Sequence, residues 1–439
     1  MVPFNNQNFA AQWLGYNDNS YRNHSRLRAL NTANIHETMK KVLKESRQFR
    51  FRKDMPLVVA FADLTDLYAT ELKDLDDLQA LLLLIGQHGS TVNLRHVGCN
   101  YFLDRSGAEF ANLLAMFGDV RATVHIGSFV NKETAVYEGD DKKILRLKDP
   151  FIQESWEQGK QQIYRDMVYQ AMNGGRNIII CTTALNETYE LLRYIVEVET
   201  NGPKTVLESL EIYVQNNATI SDDRKHICWD LGPTAGANTK FNVSSREAAI
   251  NFANLINELA DSDTPVPLLV TTRQLAYALP IPMEMDIYGP LKDYNIVSKV
   301  MWERKNENAL NWWKYGNHDD GVEVAPAALK RSVLRKILMP TLADEIFQTL
   351  TRDSDILQYI ETESPIYDPT VVMAALIPGI FDPVVDDRGN FMILGCGDNT
   401  GVIDANTTLK IFSHMLEEGL LKMPVHLPSM KMEQQLVHN

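Results

Sequence analysis

The chain has 439 residues, 45% hydrophobic and 23% charged, a balance typical of a folded globular protein that excludes extensive disorder. A formal net charge of −14 makes the body a poor binder of nucleic acid. The charge is uneven: residues 1–56 hold ten Lys and Arg against four Asp and Glu, a surplus of +6 that leaves −20 on the remainder.

Residues 1–55 read as a basic arm, rich in Asn, Gln and Arg, that ends in a short helix. In "NIHETMKKVLKES", Asn34 and Glu37 form a capping-box-like pair, and Ile35, Met39 and Val42 recur at helical spacing. Such an arm is solvated, or it touches a polyanion or a neighbouring subunit, so a homo-oligomer is expected and nucleic acid is left open for the arm alone. From Pro56 strands and helices alternate. The expected strands are Leu57–Ala62, Val92–Val97, Ala122–Ile126, Asn177–Thr182, Leu210–Val214 and Val266–Thr271. The expected helices are Asp76–Gly86, Gly107–Phe117, Gln161–Met172, Thr188–Val198 and Ser245–Leu259. Continuous apolar strands separated by helices imply an α/β fold, a mostly parallel central sheet with helices on both faces, over residues 56–425. Within it, residues 283–330 have the weakest pattern and are expected to form an irregular cap; residues 426–439 read as a tail. No apolar stretch has the length of a membrane span, and the N-terminus lacks the apolar core of a signal peptide. Cys99, Cys181, Cys228 and Cys396 show no CxxC spacing. The expected location is a reducing cytoplasm, that of a host cell if the chain is virus-encoded.

Ligands of parallel sheets bind at the C-terminal strand ends. Asp63 stands at the end of the first strand, and Asp76 and Asp77 open the following helix. Helix-dipole stabilisation accounts for acids at a helix start but not for Asp63. Convergent carboxylates repel unless a divalent ion neutralises them, and oxygen ligands without His or Cys suit Ca²⁺ or Mg²⁺. Other motifs are weaker. "LGCGDNTG" reads as a hairpin or loop, "GNHDDG" as a solvated loop, His125 as a core histidine, and Trp312–Trp313 as a satellite core cluster or a base-stacking pair.

A strand ending in aspartate, followed by an Asp-Asp pair opening an apolar helix, resembles the inosine-uridine-preferring nucleoside hydrolase family. The resemblance continues in the family's order through "LRHVGCNYF", "ATVHIGS", "NIIICTTALNETYELL", "TKFNVSSREAA", "SPIYDPTVVMAALIPGIFDP" and "TGVIDANTTLKIFSHML", spanning about Pro56 to Leu421. It implies a calcium site made by Asp63, Asp77, Asp368 and the carbonyl of Asn186, with Asp76 as general base. It further implies that Asn100 and Asn242 hold the ribose hydroxyls, in a hydrolase that cleaves the N-glycosidic bond of a small-molecule riboside. Cleavage passes through an oxocarbenium-like state that nearby carboxylates stabilise.

The departures from the family are specific. Twelve residues, "LTDLYATELKDL", separate Asp63 from Asp76 where the family has a few, which makes Asp66 a rival ligand. Lys240 stands where the family has a glutamate that grips the ribose 5′-hydroxyl, so a 5′-nucleotide becomes an alternative substrate. Tyr367 replaces a histidine associated with the leaving base, and Glu187 replaces an asparagine. These substitutions keep a second expectation open: a catalytically decayed nucleoside-hydrolase fold that serves as an assembly or binding protein.

Overall fold

The computed structural model describes residues 55–64, 75–99, 118–127, 155–230, 243–322 and 329–423, except a few single positions, with strand 152–153 and Ala111, Leu114 and Ala115. The strands of the main sheet are β1 (Leu57–Ala62), β2 (Asn93–Cys99), β3 (Thr123–Ile126), β4 (Ile152–Gln153), β5 (Asn177–Cys181), β6 (Leu210–Gln215), β9 (Leu268–Thr271), β10 (Val384–Val385) and β11 (Phe391–Leu394). A separate antiparallel ribbon pairs β7 (Ala218–Ile220) with β8 (Ile227–Trp229). The main sheet runs β10-β11-β9-β6-β5-β1-β2-β3-β4, and all its neighbours pair in parallel except the edge pair β10–β11.

Strand β1 is central, and all six of its residues are buried. Successive side chains of a strand point to opposite faces. Leu57, Val59 and Phe61 accordingly enter one core, and Val58 and Ala60 the other. The core of Val58 and Ala60 takes α1 (Asp76–Gln87), α9 (Tyr367–Leu376) and α10 (Ala405–Leu420), while that of Leu57, Val59 and Phe61 takes α2 (Trp156–Met172), α3 (Asn186–Glu199) and α4 (Val243–Ala260). Between them in the chain lie α5 (Arg273–Tyr277), α6 (Ile296–Lys314), α7 (Arg331–Leu338) and α8 (Asp344–Thr349).

All twelve residues of α1 are buried, which explains its uninterrupted apolar run. It crosses α10 at two glycines. A Cβ on Gly86 would lie 2.8 Å from the Gly419 backbone nitrogen, and one on Gly419 would strike the Leu82 carbonyl. Only hydrogen side chains permit so close a crossing.

Residues 283–330 differ from the irregular cap expected. They contain α6, a 19-residue helix capped by Asn295, whose side chain accepts from Ser298 N at 2.9 Å. Met301 and Trp313 are buried at helical spacing, but Lys305 and Asn308 occupy the same inward stripe, so the apolar periodicity is broken in the sequence. Trp313 joins a satellite core with Leu334, Leu338, Phe347 and Ile356, one of the two outcomes expected for the tryptophan pair. Helix α2 begins at Trp156, earlier than expected, because Ser155 caps it by accepting from Gln158 N. The last strand of the sheet, β11, precedes "TGVIDANTTLKIFSHML", which supplies α10.

Candidate metal centre

Strand β1 delivers Asp63 to the C-terminal edge of the sheet, one residue beyond its last paired position. Asp76 and Asp77 form the first turn of α1, and Asp368 lies in the first turn of α9. Both helix starts point at one spot, where the aligned peptide dipoles favour negative charge. Carboxylate oxygens of Asp63, Asp77 and Asp368 all lie within 4.8 Å of one another. Among the described residues no other group of three His, Cys, Asp or Glu side chains meets so closely. Asp76 is tied to the same place, accepting from Asp368 N at 3.3 Å.

Crowding carboxylates in a buried site raises the cost of their ionisation. Burial, and then the charge of Asp76, push Asp63 up from 3.8 to about 6 although hydrogen bonds from Asp77 and Thr183 oppose the rise. Asp77 is pushed well above its ordinary value by burial first, then by Asp63, Asp368 and Asp76. The field extends to Cys99 at the end of β2, whose thiol burial and the same two acids raise to about 12. Asp77 Oδ1 is buried with no hydrogen-bond partner. Three converging oxygen donors, one of them orphaned, and no nitrogen or thiolate among them, fit a hard divalent cation such as calcium.

Asn186 opens α3 just after β5, the strand beside β1, and is buried. Its neighbour Glu187 is also buried and packs on Gly127, where a Cβ would collide with the Glu187 carboxylate. Tyr367 directly precedes Asp368 and is partly exposed. Its ring stacks on Trp312 at 6.0 Å and 18° and meets Tyr277 edge-on at 5.9 Å. Trp312 thus links Tyr367 to the satellite core, against which it packs beside its member Trp313. Asn100, Lys240, Asn242 and the rival ligand Asp66 lie outside the described residues.

A buried polar cluster that the sequence pattern does not announce lies beside the acids. Gln79, one turn into α1, donates through Nε2 to Tyr288 Oη. Glu363 is buried, its carboxyl pushed up to about 7 chiefly by that burial, and it faces Lys305 Nζ at 3.7 Å. The polar Gln79 inside "DDLQALLLLIG" was the available signal. His125 is a core residue as read. Its Nε2 meets His96 Nδ1 at 3.0 Å, and His96 Nε2 meets Asp166 at 3.2 Å. In "GNHDDG", His318 bonds the Trp313 carbonyl and Asp320 pairs with Arg352, so this loop is held by local contacts.

Fold and site together define an α/β protein with an acidic, cation-type centre at the C-terminal edge of a parallel sheet. No family model matches the chain, and no curated protein matches it in sequence. Solved structures do match. The crystal structure of the effector protein XOO4466 aligns with a TM-score of 0.57 at 15% identity, over 88% of this chain and 99% of that one. The type III effector protein XopQ, complexed with adenosine diphosphate ribose, aligns with a TM-score of 0.52 at 15% identity, over 87% of this chain and 98% of that one. A purine-preferring ribonucleoside hydrolase from Gardnerella vaginalis aligns at a TM-score of 0.45 and 9% identity, over 83% and 99%. At such identities the likeness is one of fold. The α/β fold expected from the sequence, a mostly parallel central sheet with helices on both faces, is the fold observed. Among the described residues, no helix is long and apolar enough to cross a membrane.

Proposed function

We propose that the chain is a divalent-cation-dependent hydrolase that cleaves the N-glycosidic bond of ribosides, 5′-nucleotides included. The convergence of Asp63, Asp77 and Asp368 from three separate elements carries this reading. These acids and the Asn186 carbonyl would hold calcium, which supplies charge neutralisation and Lewis acidity toward water. Asp76, which accepts from the Asp368 amide, would take the proton of the attacking water. The remaining carboxylate charge favours an oxocarbenium-like sugar. Asn100 and Asn242 would hold the ribose hydroxyls and Lys240 a 5′-phosphate. Tyr367, backed by Trp312, offers a ring face to the leaving base. Adenosine diphosphate ribose, the ligand of the XopQ structure, is itself a 5′-phosphorylated riboside, which agrees with the lysine.

Chelation and base-release assays test the proposal together. EDTA should lower the melting temperature and calcium restore it, because the ion binds the folded state selectively. Asp76→Asn should keep the calcium response yet slow base release by about a hundredfold or more. A melting curve indifferent to both EDTA and calcium would overturn the cation reading.

A second reading has its own support. Two matched structures with TM-scores above 0.5 are effector proteins, and one of them holds a riboside as a ligand. On this reading the chain binds a phosphorylated riboside without cleaving it. A chain that binds calcium and adenosine diphosphate ribose, but releases base from no riboside, would decide for it.

A further inference from the structure

Helix α1 carries Asp76 and Asp77, so whatever fixes its first turns also fixes the centre. Gln79 lies three residues beyond Asp76, on the same helical face. Its Nε2 donates to Tyr288 Oη, and both residues are buried. Tyr288 is itself anchored, since its carbonyl accepts from Ser298 Oγ at 2.8 Å. Beside it, Asn295 caps α6 and donates through Nδ2 to the carbonyls of Leu420 and Met423, at the end of α10. The far end of α1 is held too: Lys422 Nζ donates to the Ile85 carbonyl at 2.7 Å. Burial, and then the fields of Glu363 and Asp76, keep the Tyr288 hydroxyl protonated. It thus grips α1 without adding charge to a site already crowded with it.

We propose that Tyr288 is a positioning residue for the cation centre: through Gln79 it holds the first turns of α1 in place against the mutual repulsion of the acids. The inference rests on reading Asp63, Asp77 and Asp368 as a cation site. Without the hydroxyl, α1 loses the tether through Gln79 one turn from Asp76, and the acids relax apart. Groups that orient metal ligands from behind typically contribute about 10–100-fold in affinity.

Calorimetric titration of calcium into the full chain tests this. Tyr288→Phe and Gln79→Met should each weaken binding by about tenfold or more. The double variant should be no more than about twofold weaker than either single one, because both remove the same bond. Gln79→Met reports on that bond even if Tyr288→Phe fails to fold. Ser298→Ala removes the other anchor of Tyr288 without touching its hydroxyl, and should keep wild-type affinity. Unchanged affinity in the folded Tyr288→Phe or Gln79→Met variants would overturn the proposal. So would an equal loss in Ser298→Ala, which would make the role one of packing. If the wild type binds no calcium, the cation reading fails first and this proposal with it; if only the variants disagree, this proposal fails alone.

Discussion

Replacing Asp63 by asparagine should make the cation-free protein more stable. Asparagine keeps the size of the side chain but removes a charge that the folded state resists. The carboxyl rises from 3.8 to about 6 on folding, mainly through burial and then through Asp76. A rise of that size corresponds to about 3 kcal/mol once the pH exceeds both values. Asp63 retains some exposed surface, and solvent screening reduces the figure to about 1–2 kcal/mol. Because the folded value is the higher one, this group's stabilising contribution is complete below 3.8 and is lost as the pH climbs through 6. Asp63→Asn should therefore gain about 1–2 kcal/mol over wild type at pH 7.5 in EDTA, and almost nothing at pH 4. Urea unfolding at the two pH values measures the difference. With calcium present the order should reverse, since the wild type gains binding energy that the variant has given up. A variant less stable than wild type in EDTA at pH 7.5, or a gain equal at both pH values, would refute the reasoning.

Three further outcomes are expected. His125 is pushed down to about 3 by burial and then by His96, so between pH 6.5 and 3 the unfolded chain binds a proton that the folded one does not. Wild-type stability should fall by up to about 1.4 kcal/mol per pH unit in that range, and His125→Gln should flatten the slope seen in urea titrations at pH 6, 5 and 4. Gly419→Ala forces a methyl group into the Leu82 carbonyl at the α1–α10 crossing and should cost about 1–3 kcal/mol, read as a lower urea midpoint. If Lys240 meets a 5′-phosphate, base release from 5′-monophosphates should exceed that from plain nucleosides by about ten- to a hundredfold, and Lys240→Glu should abolish the preference in a chromatographic assay.

What the sequence made legible was set by burial. Strand β1, sealed on both faces, appears as an unbroken apolar run, and its observed bounds match those read from the residues. The acids were visible for the opposite reason: Asp77 and Asp368 are buried, and half-buried Asp63 follows directly on the apolar run of β1. Helix α6 was lost because Lys305 and Asn308 face inward and interrupt the stripe by which a helix is recognised. The Gln79–Tyr288 bond could not be read at all, since the partners stand 209 residues apart and only the folded chain brings them together. Trp312 and Trp313 both pack on the satellite core, and only the long-range contact of Trp312 with Tyr367 distinguishes them.

The acids come from opposite ends of the body, Asp63 from its first strand and Asp368 from its next-to-last helix. During synthesis on the ribosome, the first two acids emerge long before the third exists. Domains of this size acquire their packing largely as units. The complete acidic centre is therefore a late product of biogenesis, and an ion held by it could not guide early collapse of the chain. A polypeptide cut short before α9 would contain most of the sheet and none of the assembled centre, so a prematurely terminated product would be inert toward calcium even where much of it had folded.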